Sequence, residues 1–104
     1  MAKIYTYSEI KEKFDNIVSD ANSYFSDEID NILDRGFDKK FPIVVDQNGE
    51  ILDGNHRYEA FLHHGRENEL YFVVCTWEKF YELPEGTARI NDEDYEILIN
   101  LCED

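Results

Sequence analysis

The sequence predicts an α+β fold, a small mixed sheet flanked by helices in a single domain spanning residues 1–104. Two apolar runs, Pro42-Ile43-Val44-Val45 and Glu69 to Thr76, have the β-branched and aromatic content of strands, and the second is apolar enough to be covered on both faces. Asp46-Gln47-Asn48-Gly49 holds an Asn-Gly pair, the strongest short hairpin signal, so Glu50 to Asp53 is expected to return as a strand. Around these runs, apolar residues recur at helical spacing. A chain of 104 residues can bury one modest core but not two.

The first element is a short strand, Lys3-Ile4-Tyr5-Thr6. Thr6 and Glu9, three residues apart, form a capping box for a helix whose Ile10, Phe14, Ile17, Val18 and Ala21 fall on one face. That helix breaks around Asn22-Ser23, where Tyr24 and Phe25 supply packing. Ser26 is the next N-cap, since Asp27 and Glu28 fill a first turn in which the helix dipole favours acids. Ile29, Ile32 and Leu33 bury this second helix and Gly36 ends it, leaving Phe37 to Phe41 as a connector with a Lys39-Lys40 pair. After the hairpin, Tyr58, Ala60, Phe61, Leu62 and His64 predict a third helix that stops at Gly65, with His63 and His64 favourable at its end. Beyond the last strand, Thr76 opens a short helical turn through Trp77, Lys79, Phe80 and Tyr81, and Leu83-Pro84-Glu85-Gly86 forms a turn. Asn91 then caps a final helix with Asp92, Glu93 and Asp94 in its first turn and Tyr95, Leu98, Ile99 and Cys102 on its buried face.

The junction between the second strand and the third helix is the chemically informative part. Gly54 allows backbone angles closed to other residues and close approach of a ligand. His56 and Arg57 then occupy the first helical turn, where the dipole disfavours cations by up to about 1 kcal/mol. Something negative is required beside them. One candidate is internal: Asp53 and Arg57 stand at i, i+4, a spacing that contributes roughly 0.2–0.5 kcal/mol on a helix. The other is an external anion, since Gly54, Asn55, His56 and Arg57 would surround a phosphate with backbone and side-chain donors.

The order strand, Asn-Gly turn, strand, Asp53-Gly54-Asn55-His56-Arg57, helix, Gly65, strand resembles the core of the ParB/sulfiredoxin superfamily from Ile29 to about Thr76. Lys3 to Ile10 lends weaker support. In that superfamily a Gly-x-His-Arg or Gly-Glu-Arg-Arg segment opens a helix and binds nucleotide phosphates, and members include sulfiredoxins, CTP-switched partition proteins and a free-serine kinase. The resemblance implies that Gly54, Asn55, His56 and Arg57 bind the phosphates of ATP or ADP, or of CTP, together with Mg2+. It is nearest in motif to the serine-kinase type, which makes Asp53 and His56 the catalytic candidates and Glu9 a loose match to that family's other acid. Sulfiredoxins carry a nucleophilic cysteine where this chain has Asn55, which argues against sulfur reduction. Partition proteins add a DNA-binding helical domain for which these residues leave no room.

The formal net charge of −14 argues against a nucleic-acid surface made of lysine and arginine. The charge is uneven: −3 over residues 1–40, −4 over 41–74 and −7 over 75–104. The acidic final third is a solvated face or a surface for a basic protein partner, such as the groove of an enzyme that handles nucleic acid. No leader pattern and no membrane-length apolar run appears, so a cytoplasmic address without membrane contact is expected. Cys75 and Cys102 have neither metal spacing nor a disulfide pattern and are expected to be buried free thiols; His63-His64 lacks companions for a metal site. Trp77 and the tyrosines are core residues or a base-stacking surface. The function these features favour is nucleotide-phosphate binding, with phosphotransfer or NTP hydrolysis as its catalytic form. The alternative is a small acidic interaction or inhibitor protein that binds a basic partner without catalysis, and a third reading leaves the Asp53-Arg57 pair purely structural.

Overall fold

A computed structural model of the chain describes residues 3–19 and 26–81, together with Ile97, Asn100 and Cys102. The described residues form a compact α+β unit in the order β1 (Tyr5–Thr6), α1 (Tyr7–Lys13), α2 (Ser26–Arg35), β2 (Ile43–Val45), β3 (Ile51–Asp53), α3 (Asn55–His63), β4 (Tyr71–Val74) and α4 (Trp77–Phe80). The four strands make one mixed sheet in the order β1-β4-β2-β3. β2 and β4 run parallel at its centre, and β1 and β3 flank them antiparallel.

The central strands are apolar throughout because both of their faces are covered. Ile43, Val45, Phe72 and Val74 point into a core with Ile10 of α1 and Tyr58, Ala60 and Phe61 of α3, with Ile32 and Leu33 of α2 at its margin. Val44 and Val73, paired in register, face the other way into a second cluster with Cys75, Phe80 and Cys102. Both cysteines are buried. The strand expected over Glu69 to Thr76 is shorter, preceded by a 3-10 turn at Glu67–Glu69.

The hairpin forms as expected, though with a longer loop than an Asn-Gly dipeptide turn. Gly49 N–H donates to Asp46 O (3.2 Å), Gly49 adopts φ +87°, and Asp46 N–H donates to Glu50 O (2.8 Å), so Gln47, Asn48 and Gly49 together make the loop. The buried Asp46 carboxylate holds it by accepting from the N–H groups of Asn48 (2.8 Å) and Glu50 (2.9 Å). A register shift between Val44 and Val45 brings Asp53 opposite Val44.

The helix expected to run from Thr6 to Ala21 is corrected to two turns. Its capping box is present, Thr6 Oγ1 accepting from Glu9 N–H (3.3 Å) and Glu9 Oε1 from Thr6 N–H (2.9 Å), but Phe14 is already extended. Ile17 still reaches the core, while Val18 is 46% exposed and pairs with the outer edge of β3. Val18 N–H donates to Gly49 O (3.0 Å) and Ile51 N–H to Val18 O (2.9 Å). Continuing the helix would leave these β3 edge groups without protein partners, and the bridge satisfies them.

Ser26 is the first helical residue of α2 rather than a flanking cap, and Gly36 follows that helix at φ +73°. Of the residues expected on the buried face of α3, His64 is exposed beyond the helix end. Thr76 holds the N-cap position of α4 without a side-chain bond. Ala21, the Asn22-Ser23 break, Tyr24 and Phe25 lie outside the described residues, as do the Leu83 to Gly86 turn, Asn91, Asp92, Glu93, Asp94, Tyr95, Leu98 and Ile99.

Candidate functional site

Because β3 runs antiparallel to β2, Asp53 at its end lies beside the start of β2 and of its parallel neighbour β4. The chain turns there at Gly54 and enters α3. A cleft of about 650 Å3 opens at this end of the sheet. One wall is the predicted motif itself, Asp53, Gly54, Asn55, His56 and Arg57. The other wall comes from α2 and its exit: Ile32, Arg35, Gly36, Asp38 and Phe41.

Gly54 is the N-cap residue of α3, with φ +99° and ψ 21°. Its carbonyl accepts the first helical bond, from Tyr58 N–H at 2.9 Å, yet among the described residues this N-cap has no side-chain cap bond, and no acid occupies the first turn. The first residues of α3 line the cleft, so the positive end of the helix dipole lies at its wall. A Cβ at residue 54 would lie 3.0 Å from Arg57 Nη2 and 3.0 Å from Ile43 Cγ1. Only a bare backbone lets the Arg57 side chain fold back this closely over the turn.

Arg57 is held in several ways. Its Nη1 donates to Phe41 O, its Nη2 stands 3.7 Å from Asp53 Oδ2, and its guanidinium lies 5.2 Å over the Phe37 ring. The internal ion pair suggested by the i, i+4 spacing is thus present. Asn55 Oδ1 accepts from Ser19 Oγ (3.1 Å), which ties the start of α3 to the segment bridging β3. His56 is the exposed member of the motif.

Arg35, Asp38 and Phe41 were not among the residues singled out from the sequence for the site. Arg35 is the last residue of α2, and its Nε donates to Asn31 O of the same helix (3.3 Å). Asp38 Oδ1 accepts from Lys40 N–H (2.9 Å), which orients its carboxylate. A basic residue just before Gly36 and an acid two residues after it were the available signal, but nothing local linked them to Gly54.

Other candidates stand apart from the cleft. Glu9 lies beyond β1, at the sheet edge opposite β3, and its carboxyl is engaged by Thr6, whose N–H and hydroxyl hold it below the usual carboxylate range. Lys39 Nζ packs 5.0 Å over the Tyr71 ring, and neither Lys39 nor Lys40 lines the cleft. Trp77 and Tyr81 are exposed and pair edge to face with centroids 6.1 Å apart, but they follow the far end of β4 and do not line the cleft. His63 Nε2 lies 2.8 Å from Glu59 Oε2. Among the described residues no helix is long and apolar enough to cross a membrane. Compared with family models, curated proteins and solved structures, the chain matches none.

Proposed function

We propose that the chain is a ParB/sulfiredoxin-like nucleotide-phosphate-binding protein whose cleft takes the phosphates of ATP or ADP with Mg2+, acting as a phosphotransferase or NTPase. The observation that carries this reading is the start of α3, which opens on a cleft with Gly54 at φ +99°, no side-chain cap and no acid in its first turn. Such an end attracts an anion through its N–H groups and its dipole. Neighbouring side chains support it: His56 adds a donor, and Asp38 and Asp53 line the same space.

The group fits these residues in a limited way. Among the described residues no set of three His, Cys, Asp or Glu side chains gathers to hold a metal, so Mg2+ would rest chiefly on the phosphates with Asp53 and Asp38 as protein carboxylates. When bound, Mg2+ neutralises phosphate charge. Gly54 and Asn55 present backbone donors, His56 stabilises charge developing on the transferred group, and Asp53 orients the hydroxyl or water that attacks it. CTP is accommodated by the same phosphate contacts.

Calorimetric titration of ATP, ADP, CTP and GTP with Mg2+ into the protein tests the reading. Saturable one-site binding by at least one nucleotide is expected; an absence of binding at millimolar nucleotide would sink it. The excess of −7 over residues 75–104 favours a second reading, a non-catalytic protein that covers a basic partner surface. That binding would weaken steeply with salt and would depend on Asp92, Glu93 and Asp94 rather than on the cleft.

A further inference from the structure

The cleft holds two arginines in different circumstances. To grip a phosphate with a fork of parallel N–H bonds, a guanidinium must turn one edge, with two of its donors, toward the ligand. Arg57 has turned its edges inward. One Nη donates to Phe41 O, the other faces the Asp53 carboxylate, and the plane rests over Phe37. Swinging it to a ligand would abandon all three contacts and vacate the space above Gly54 that its Nη2 occupies. These contacts join β3, α3 and the connector before β2, which is the work of a residue that builds the turn.

Arg35 is disposed the other way. It stands on the facing wall at the exposed end of α2, and the bond from its Nε to Asn31 O lays the side chain along its own helix. Among the described residues its two Nη groups make no hydrogen bond or ion pair. They form the outer edge of the guanidinium, and the opposite wall of the same cleft is the uncapped start of α3.

We infer that Arg35 of α2, which lies outside the Gly54 to Arg57 motif, is the guanidinium that grips the phosphate in this cleft, and that Arg57 is a positioning residue that shapes the Gly54 turn. The inference rests on the phosphate-binding reading of the site. It makes the site a two-walled one. Helix N–H groups and His56 hold the anion from the α3 side, and Arg35 closes on it from α2, so a ligand needs an anionic group thick enough to touch both walls. A polyphosphate chain meets that requirement better than a lone carboxylate.

The test uses the full chain with inorganic tripolyphosphate and Mg2+-ATP as probes, and measures Kd by calorimetry and Tm by thermal unfolding for wild type, Arg35→Gln, Arg35→Lys and Arg57→Gln. Arg35→Gln is expected to raise Kd by about tenfold or more with Tm close to wild type, because an exposed charge-assisted fork is lost and nothing in the core changes. Arg35→Lys should recover part of the affinity, since the charge returns without the fork. Arg57→Gln should lower Tm by several degrees. Wild-type affinity in Arg35→Gln overturns the inference while leaving nucleotide binding in place. So does lost binding at unchanged Tm in Arg57→Gln, which would return the phosphate to the motif arginine. If wild type binds neither probe, both the inference and the phosphate reading fall together.

Discussion

Gly54 meets two demands at the same atom, a left-handed backbone at φ +99° and the absence of a side chain where Arg57 Nη2 and Ile43 Cγ1 close in to 3.0 Å. Alanine at this position pays the left-handed penalty and crowds both neighbours. Gly54→Ala is expected to lose about 1–3 kcal/mol of stability in urea unfolding, and a variant as stable as wild type would show that the turn relaxes without strain. Tyr58 makes a different prediction. Burial first, and then repulsion from Tyr7, Glu59 and Glu67, pushes its phenol up to about 12 from an ordinary value of 10.0. A raised folded-state pKa favours the protonated form, so this contribution is complete below pH 10 and is lost as pH rises toward 12. Wild type should therefore lose stability relative to Tyr58→Phe across that window, and parallel stability curves for the two proteins would count against it. At this scale much was legible. A capping residue, a glycine turn and an i, i+4 ion pair are all local, so their residue types sit within a few positions of their partners. The bond from Arg57 to Phe41 O was not legible, because any backbone carbonyl can accept and none announces itself in the sequence.

The start of α1 and its end depend on different ranges of interaction. The start is set by Thr6 and Glu9, and Thr6→Ala should cost about 1 kcal/mol in chemical denaturation through loss of the side-chain acceptor at the cap. The end is set by β3. Apolar spacing carried the expected helix on through Val18 and Ala21, but spacing cannot express the demand of an edge strand for partners. Val18 answers that demand from far away in the chain, and the approach is close enough that a Cβ on Gly49 would lie 2.9 Å from Asn16 O. Val18→Pro removes the N–H that bonds Gly49 O and leaves most of the core untouched. A loss of about 1–3 kcal/mol is expected, with faster hydrogen exchange at Ile51 than elsewhere in the sheet. Unchanged protection at Ile51 would show that the bridge contributes nothing to the edge. The central strands, by contrast, were readable from composition alone, since a strand covered on both faces has to be apolar at every position. The second wall of the cleft was the least readable part of the site. Arg35 and Asp38 reach Gly54 only through the packing of α2 beside α3, and an arginine at a helix end satisfies the dipole whether or not it also faces a ligand.

At the scale of the whole molecule, a net charge of −14 opposes the ligand the cleft is proposed to take. Long-range repulsion from the acidic surface acts on any polyphosphate that approaches, whereas His56 and Arg35 act only at contact distance. The two effects respond differently to salt, because the Debye length shortens from about 30 Å at 0.01 M to about 8 Å at 0.15 M ionic strength. Over that range the distant carboxylates are screened and the short contacts keep most of their strength. Nucleotide affinity should consequently stay level or improve as salt rises toward physiological strength, opposite to the steep loss expected for a basic partner held on the acidic face. Chelation of the ligand by Mg2+ works in the same direction. It reduces the charge that must enter the field of the protein, so EDTA should weaken ATP binding even at a site with few carboxylates of its own for the metal. Free ATP binding as tightly as Mg2+-ATP at low salt would mean that the acidic surface does not reach the cleft, and a steep fall in affinity with salt would assign the binding to surface charge instead of the two walls around Gly54.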